Sequence, residues 1–372
     1  MTHTRRKLLR DLVAGAAITT MPACAAEPTV ARHGAGHQAT GYRLVAGQRM
    51  AIEPLAAHSA SGFRSGLPWR SGVTSWNPDE FAEWRGRPLD VLTTFSTFVT
   101  WDEIEQLGRE GTMLGAMLGR PEQLVVSFPM FPRKDGPVPR DEPELWQDAA
   151  QGRYDEHWER AVRYLRQRRD RDDYIFRPGW EWNSAKSYPW GIVDVEWAEA
   201  YQLTFRRLVG IVKTTFPGAK IDWCALKKGQ SKKRIDLFYP GDDVVDYIGQ
   251  DRYDRFPAAP TPEAWVKTQD ETDRDGGPIG IQAWLRYAQS KGKPMSIPEW
   301  GVWSVSGNKG GGAGDNAVFI EQMFAFFTAN AESIGYECYF NNMGGEAQHR
   351  IGPGKVPNPL ASEAYARLYR PT

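Results

Sequence analysis

Short apolar runs alternate with amphipathic helical patterns along most of this chain, and they do so eight times. The predicted strands are Gly72–Ser75, Leu89–Thr94, Leu124–Phe128, Tyr174–Arg177, Lys220–Cys224, Val245–Gly249, Pro294–Ile297 and Tyr336–Phe340. Several are continuously apolar or aromatic, as parallel strands covered on both faces are. Helical patterns fall between them, over 78–84, 101–108, 154–169, 195–216, 280–289, 316–330 and 362–368. Asn77 precedes the first, Thr100 with Glu103 forms a capping box for the second, and Pro217-Gly218 ends the fourth. This repeated strand–helix alternation predicts an α/β chain folded as a (β/α)8 barrel. An open doubly wound sheet is the other arrangement with this alternation. It lacks support because no G-x-G-x-x-G follows the first strand.

The first residues read as an address rather than as part of the barrel. Arg5-Arg6 lies in a basic stretch, an apolar run spans Leu12 to Ile18, and Ala23-Cys24-Ala25 offers small residues for cleavage. That is the pattern of a twin-arginine signal peptide over residues 1–25. It predicts a bacterial protein exported to the periplasm or beyond, with Cys24 as an alternative site of lipid attachment. Residues 26–40 read as a loose mature N-terminus and 41–372 as one barrel domain. The leader's apolar run is too short to span a bilayer, so no transmembrane span is expected. Lysine plus arginine equals aspartate plus glutamate at 46 each, which argues against a nucleic-acid partner. Three cysteines exclude a disulfide scaffold, and Cys224 and Cys338 read as free thiols on core strands.

Two carboxylates stand at the ends of predicted strands four and seven, where barrels of this kind carry their chemistry. Glu181 follows Tyr174-Ile175-Phe176-Arg177-Pro178-Gly179-Trp180, and Glu299 follows Lys293-Pro294-Met295-Ser296-Ile297-Pro298. Each is an isolated acid among apolar and aromatic residues, an unfavourable place for a charge that is neither paired nor used. Two such groups suit cleavage of a glycosidic bond, one protonated to assist the leaving oxygen and one ionised to attack. Trp180 and Trp182 flank Glu181, and desolvation by their rings would raise its pKa.

Arg177-Pro178-Gly179-Trp180-Glu181-Trp182-Asn183 resembles the acid/base segment of glycoside hydrolase family 26, in the large clan of retaining (β/α)8 glycosidases. The stretch from Lys293 to Gly301 resembles the nucleophile strand of that family, and Val245 to Tyr253 its sixth strand. Trp180 stands where the family usually has histidine. The resemblance implies Glu181 as general acid/base, Glu299 as nucleophile, and Tyr253 as the hydroxyl that bonds Glu299. It implies that Arg177 and Asn183 hold the acid/base segment and the nearby sugar. The implied activity is retaining hydrolysis of a β-linked polysaccharide or oligosaccharide, with no cofactor or metal. Trp residues spread over several strand ends suit an open, endo-acting cleft, and a monomer is expected. A noncatalytic carbohydrate-binding protein on the same barrel, a transglycosylase and a lyase are the other readings, and the pair Glu181 and Glu299 separates an enzyme from the first.

The chain holds 15 Trp, 14 Tyr and 16 Phe. Aromatic rings near the strand ends suit stacking on sugar faces. Trp190 and Trp303 are the first candidates, with Trp180, Trp223 and Trp300 beside them. Tyr339 and Asn341 at the end of strand eight, and Asp251 near the end of strand six, are further substrate-binding candidates. Asp251 is alternatively a partner of Arg252 or Arg255. Lys227, Lys228, Lys232, Lys233 and Arg234 form a basic cluster after strand five that suits solvent or an acidic polysaccharide. The glycine-rich Lys309–Gly314 stretch lacks the residues of a phosphate loop. The six histidines show no metal-ligand spacing. Residues 129–152, rich in proline and charge, read as a stiff exposed loop at one end of the cleft.

Overall fold

The computed structural model describes residues 42–45, 48–53, 62–227, 234–305, 311–342 and 348–371. The leader with Cys24, the 26–40 segment, Lys228, Lys232, Lys233, Lys309 and Gly310 lie outside the described residues. A two-stranded antiparallel hairpin comes first, β1 (Tyr42–Val45) with β2 (Gln48–Ala51). Eight parallel strands follow: β3 (Ser71–Thr74), β4 (Val91–Phe95), β5 (Gln123–Phe128), β6 (Ile175–Pro178), β7 (Lys220–Leu226), β8 (Tyr247–Tyr253), β9 (Met295–Gly301) and β10 (Ile334–Phe340). They pair in sequence order, and β10 returns to β3 to close the barrel. All eight predicted strands are present. The fifth, sixth and seventh run two to four residues further toward the site than their apolar runs suggest, and the eighth starts two residues earlier.

Strand side chains alternate between two environments, as period-two geometry requires. Val91, Val125, Ile175, Tyr247, Tyr336 and Cys338 make an apolar cluster of their own. It fills the lumen near the strand starts. Residues of the other parity face the helices. Phe176 meets Phe216, and Trp223 donates from Nε1 to the Tyr201 hydroxyl at 3.1 Å. Cys224 and Cys338 are free and buried.

Helices cover the outside. Pro78–Arg85 ends on Gly86 in the left-handed region. Trp101–Glu105 is capped by Thr100, whose side chain accepts from the Glu103 amide at 3.2 Å, while Glu103 accepts from the Val99 amide at 2.8 Å. Asp155–Arg168 and Ala198–Thr215 bury Trp158, Leu165, Tyr201, Phe205 and Leu208. Ile281–Ser290, Ala317–Ala329 and Pro359–Tyr369 complete the ring.

Residues 129–152 are not the exposed loop the sequence suggests. Leu145–Ala150 is helical, and Met130, Phe131, Val138 and Trp146 are buried. The Trp146 ring packs edge-on against Phe131 and Tyr201. The gain from burying these apolar groups outweighs the solubility of the intervening charges.

Close approach of strands fixes one glycine. A Cβ on Gly72 would lie 1.9 Å from the Val91 carbonyl oxygen, an atom of the barrel backbone that cannot swing away. Gly72→Ala is expected to lower the unfolding free energy by about 1–3 kcal/mol through this overpacking. Gly119→Ala, where a Cβ meets nothing within 4 Å, is the matched control and should change stability little. Chemical denaturation of both variants measures the difference.

Candidate active site

Arg177 is the centre of the strand-end cluster. It points into the lumen from β6 with its side chain wholly buried. One terminal nitrogen donates to Asp251 Oδ2 at 2.5 Å, and the other donates to Glu299 Oε1 at 2.9 Å and Ser127 Oγ at 3.3 Å. The nitrogen that meets Asp251 also reaches Cys224 Sγ at 3.4 Å, so five strands converge on one guanidinium. Asp251 pairs here and not with Arg252 or Arg255, because its parity on β8 turns it inward beside Cys224, whose Sγ lies 3.3 Å away.

Glu299 owes its direction to an irregularity in β9. Between Ile297 and Trp300 that strand spends one more residue than β10 does between Glu337 and Tyr339. The same extra residue shows against β8, where Gly249 faces Ser296 and Arg252 faces Trp300. A bulge shifts the alternation by one. Ser296 faces the lumen, Glu299 faces it again, and Trp300 turns outward to donate to Glu337 Oε2 at 2.6 Å. The second oxygen of Glu299 accepts from the Tyr253 hydroxyl at 2.8 Å. Both of its oxygens are thus held by donors.

Glu181 sits on the turn after β6 and has φ of 53°, in the left-handed region that a non-glycine residue enters at a cost. Two ties hold it there. Its amide donates to the Cys224 carbonyl at 3.0 Å. Asn183 clamps the same turn to β7, donating to the Leu226 carbonyl and accepting the Leu226 amide, both at 2.8 Å. Gly179, also at positive φ, lets the turn pass Met130, since a Cβ there would meet the sulfur at 2.3 Å.

A carboxylate oxygen from each of Glu181, Asp251 and Glu299 lies within 4.8 Å of the other two. Burial pushes the Glu181 pKa up to about 8, and the negative charge of Glu299 pushes in the same direction. Arg177 and a hydrogen bond with Tyr188 oppose the shift but do not cancel it. Tyr188 is a site residue that the sequence did not single out, because it lies in a loop with no motif of its own. His349 is another. It is buried against the Tyr253 ring at 4.8 Å, bonds the Val302 carbonyl through Nδ1 at 2.6 Å, and burial pushes its pKa down to about 4.

The expected aromatic platforms fare differently. Trp190 is fully buried, donates to the Trp180 carbonyl at 2.8 Å, and stacks on Tyr188. Trp223 is buried between barrel and helices and stacks on Trp182. Tyr339 is buried on the outer face of β10 and donates to the His349 carbonyl at 2.7 Å. None of the three can stack on a sugar, because strand parity or a second aromatic layer places each behind the wall of the site. Trp180 is itself 1% exposed, enclosed by Phe95, Phe98, Tyr188 and Trp190. Asn341 uses its side-chain oxygen to accept the Ile351 amide at 2.8 Å. Trp303 remains half-buried, with its ring edge-on to Tyr253 at 5.8 Å.

The Glu299 charge is one of two forces holding Glu181 protonated, so removing it should be visible in the titration. Carbon NMR of the Glu181 carboxyl is expected to show a midpoint near 8 in the native protein. In Glu299→Gln the midpoint should fall, yet stay above the usual 4.5 because burial remains. A raised folded-state pKa makes a stabilising contribution that is complete below the unfolded pKa and lost as pH rises through about 8. The native protein should therefore lose stability relative to Glu181→Gln across that interval.

No family model matches the chain. It is 26% identical over 195 residues to a mannan endo-1,4-beta-mannosidase of Bifidobacterium adolescentis, covering 50% of this chain and 18% of that protein. The chain thus spans less than a fifth of that relative's length. In structure it is similar to a family 26 glycoside hydrolase from a Muricauda species, with TM-score 0.56 at 16% identity, over 82% of this chain and 90% of the other. It is similar to the catalytic domain of a family 26 endo-beta-1,4-mannanase from a Bacillus species, with TM-score 0.55 at 14% identity, over 82% and 86%. A modular endo-beta-1,4-mannanase from Cellulomonas fimi gives TM-score 0.53 at 17% identity, over 79% and 65%. The sequence likeness to a mannan endo-1,4-beta-mannosidase thus spans half of this chain, and the likeness to the family 26 structures is that of a shared (β/α)8 barrel.

Proposed function

We propose that the chain is a retaining glycoside hydrolase that cuts β-linked polysaccharide at internal bonds. The observation that carries this reading is the pair Glu181 and Glu299, with oxygens within 4.8 Å of each other and opposed environments. A separation of roughly 5–5.5 Å suits a nucleophile and an acid/base acting on one anomeric carbon, whereas inversion needs roughly 6.5–9.5 Å to admit a water between. The relatives named above support the class of reaction.

In the proposed first step Glu299 attacks the anomeric carbon while Glu181 passes its proton to the departing glycosidic oxygen. The C–O bond to the leaving sugar breaks and an ester to Glu299 forms. In the second step Glu181, now ionised, takes a proton from water, whose oxygen displaces Glu299 from the same carbon. Both groups end as they began. Arg177 and Tyr253 orient the Glu299 carboxylate through one oxygen each. The hydroxyl of Tyr188 faces Glu181 and steadies its charged form between the steps. Export through the twin-arginine leader, with action on polymer outside the cytoplasm, belongs to the same proposal.

Release of reducing sugar from mannans, xylans, β-glucans and bacterial exopolysaccharides tests the reading. Proton NMR should show the first product with its anomeric configuration retained, and an inverted product overturns the mechanism. Larger fragments should precede mono- and disaccharides.

Three outcomes are expected from these roles. Glu181→Ala should lose about 10²–10⁴-fold on polymer but much less on an aryl glycoside whose leaving group needs no proton. The native rate should fall as pH rises through about 8, because the proton Glu181 must donate is then gone. Tyr253→Phe should lower kcat while leaving the melting temperature near that of the native protein. An equal loss on both substrates in Glu181→Ala would assign the acid elsewhere.

A further inference from the structure

Arg255 lies beside the candidate active site with its charge uncommitted. It follows Tyr253, the partner of Glu299, by two residues. Its guanidinium carbon sits 3.7 Å from the Trp303 ring centroid and 4.1 Å from that of Phe256. Two aromatic rings thus hold the guanidinium through cation–π contact, which leaves its N–H groups as the means of binding an anion. No acidic side chain among the described residues pairs with it, and its Nε is buried without a partner. Other arginines near the barrel do have carboxylate partners, such as Arg206 with Asp243 and Arg207 with Asp155. Arg255 and Glu181 feel each other's charge without bonding.

The surroundings hold this arrangement in place. Arg255 and Gly312 form an antiparallel bridge, and Trp303 and Gly314 form another. A Cβ on Gly311 would meet the Phe256 ring at 2.0 Å, and one on Gly312 would meet the Trp303 carbonyl oxygen at 2.6 Å and its side chain at 2.7 Å. The glycine-rich stretch therefore makes room for the two rings that enclose the guanidinium. From below, Lys227 Nζ donates to the carbonyls of Arg255 at 3.2 Å and Pro257 at 3.0 Å. This adds a second positive charge under the same turn.

We propose that Arg255 binds a carboxylate carried by the sugar chain beside the cleavage point, so that the substrate is an acidic, uronate-containing polysaccharide. This deepens the glycosidase reading and rests on it for the word substrate. A guanidinium edge matches a carboxylate with two parallel charge-assisted bonds, and neutral hydroxyls can take only weaker single bonds. Contact with two rings restrains the guanidinium before the ligand arrives, which lowers the entropy lost on binding.

The test compares two probes of identical linkage. Oligo-β-1,4-mannuronate and the neutral oligomannoside made from it by carboxyl reduction are titrated calorimetrically into the full chain. The acidic probe should bind about tenfold or more tightly than its neutral twin, the scale set by a charged hydrogen-bonded pair. That preference should shrink at high salt. Arg255→Gln should erase it, and Arg255→Lys, which keeps the charge but loses the fork, should retain only part. Equal binding of the two probes, binding of neither, or an undiminished preference in both variants overturns the proposal. Reducing-sugar release is scored separately. Selective binding of the acidic probe with no cleavage of any polymer would sink the hydrolase reading and keep the Arg255 assignment, and cleavage of neutral polymer without acidic preference would do the reverse.

Discussion

One cation placed inside the barrel governs the rest of the site. Arg177 cannot shed its proton, and a buried guanidinium is tolerated only where anionic partners are bonded to it. Asp251 from β8 and Glu299 from β9 supply them. Removing either partner from such a cluster costs about 3–5 kcal/mol, so the pairing also restrains the register of the strands that bring it. The arithmetic of charge then falls on Glu181. Three carboxylates crowd one guanidinium, two are bonded to it, and Glu181 is the one that is not. Burial and the Glu299 charge push the Asp251 carboxyl up as well, against the Arg177 guanidinium bonded to it; Glu181 meets the same two pushes without a bond to Arg177, and its pKa rises to about 8. The chemical asymmetry between two glutamates, one bonded by two donors and one kept as an acid, follows from where a single arginine was placed.

Below this cluster the lumen is filled in layers. Asp222 accepts from Ser296 Oγ at 2.7 Å and from the Tyr336 hydroxyl, and burial pushes its pKa up to about 6. Gly249 passes over this group because a Cβ there would lie 2.6 Å from Asp222 Oδ1 and 2.7 Å from Ser296 Oγ. The apolar layer of Val91, Val125 and Ile175 lies beneath. Polar character thus rises from the strand starts toward the mouth. Ionisable groups sit on a packed floor, where water cannot enter from below and where side-chain directions are fixed by strand geometry rather than by loops.

The eight strands and the two glutamates could be read from the sequence because apolar runs and isolated acids are local signals. The bond from Tyr253 to Glu299 was readable for a second reason, the resemblance of its strand to a known one. The buried aromatics were misjudged because stacking was assigned by nearness to a strand end and not by parity. Asp222 and Cys224 face the lumen, so Trp223 between them must face the helices. Tyr336 and Cys338 face inward, so Tyr339 faces outward by the same rule. Glu299 would have failed this test, since Ser296 and Glu299 differ by an odd number. Only the bulge between Ile297 and Trp300 restores it, and no local pattern marks a bulge whose proof is pairing with two other strands. Arg177 was foreseen near the site but not as its pivot, because partners 74 and 122 residues away are a property of the closed barrel alone.

Tryptophan abundance also takes a different meaning once burial is known. Trp69, Trp146, Trp158, Trp180, Trp182, Trp190, Trp223, Trp284 and Trp300 are all essentially inaccessible. They build the layer between barrel and helices and the wall behind Glu181. A composition that suggests a sugar-binding surface is, in this chain, mostly a core. Among the platforms first considered, Trp303 keeps an accessible ring beside Tyr253, and that ring already carries Arg255 at 3.7 Å. A sugar approaching this side of the site therefore meets a guanidinium laid over an aromatic face rather than a bare ring. Neutral pyranose faces gain from bare rings through apolar contact, whereas a stacked guanidinium offers directed donors and a full positive charge. The ring that first pointed to sugar stacking thus carries a guanidinium, and under the proposal above that guanidinium meets a ligand with charge of its own.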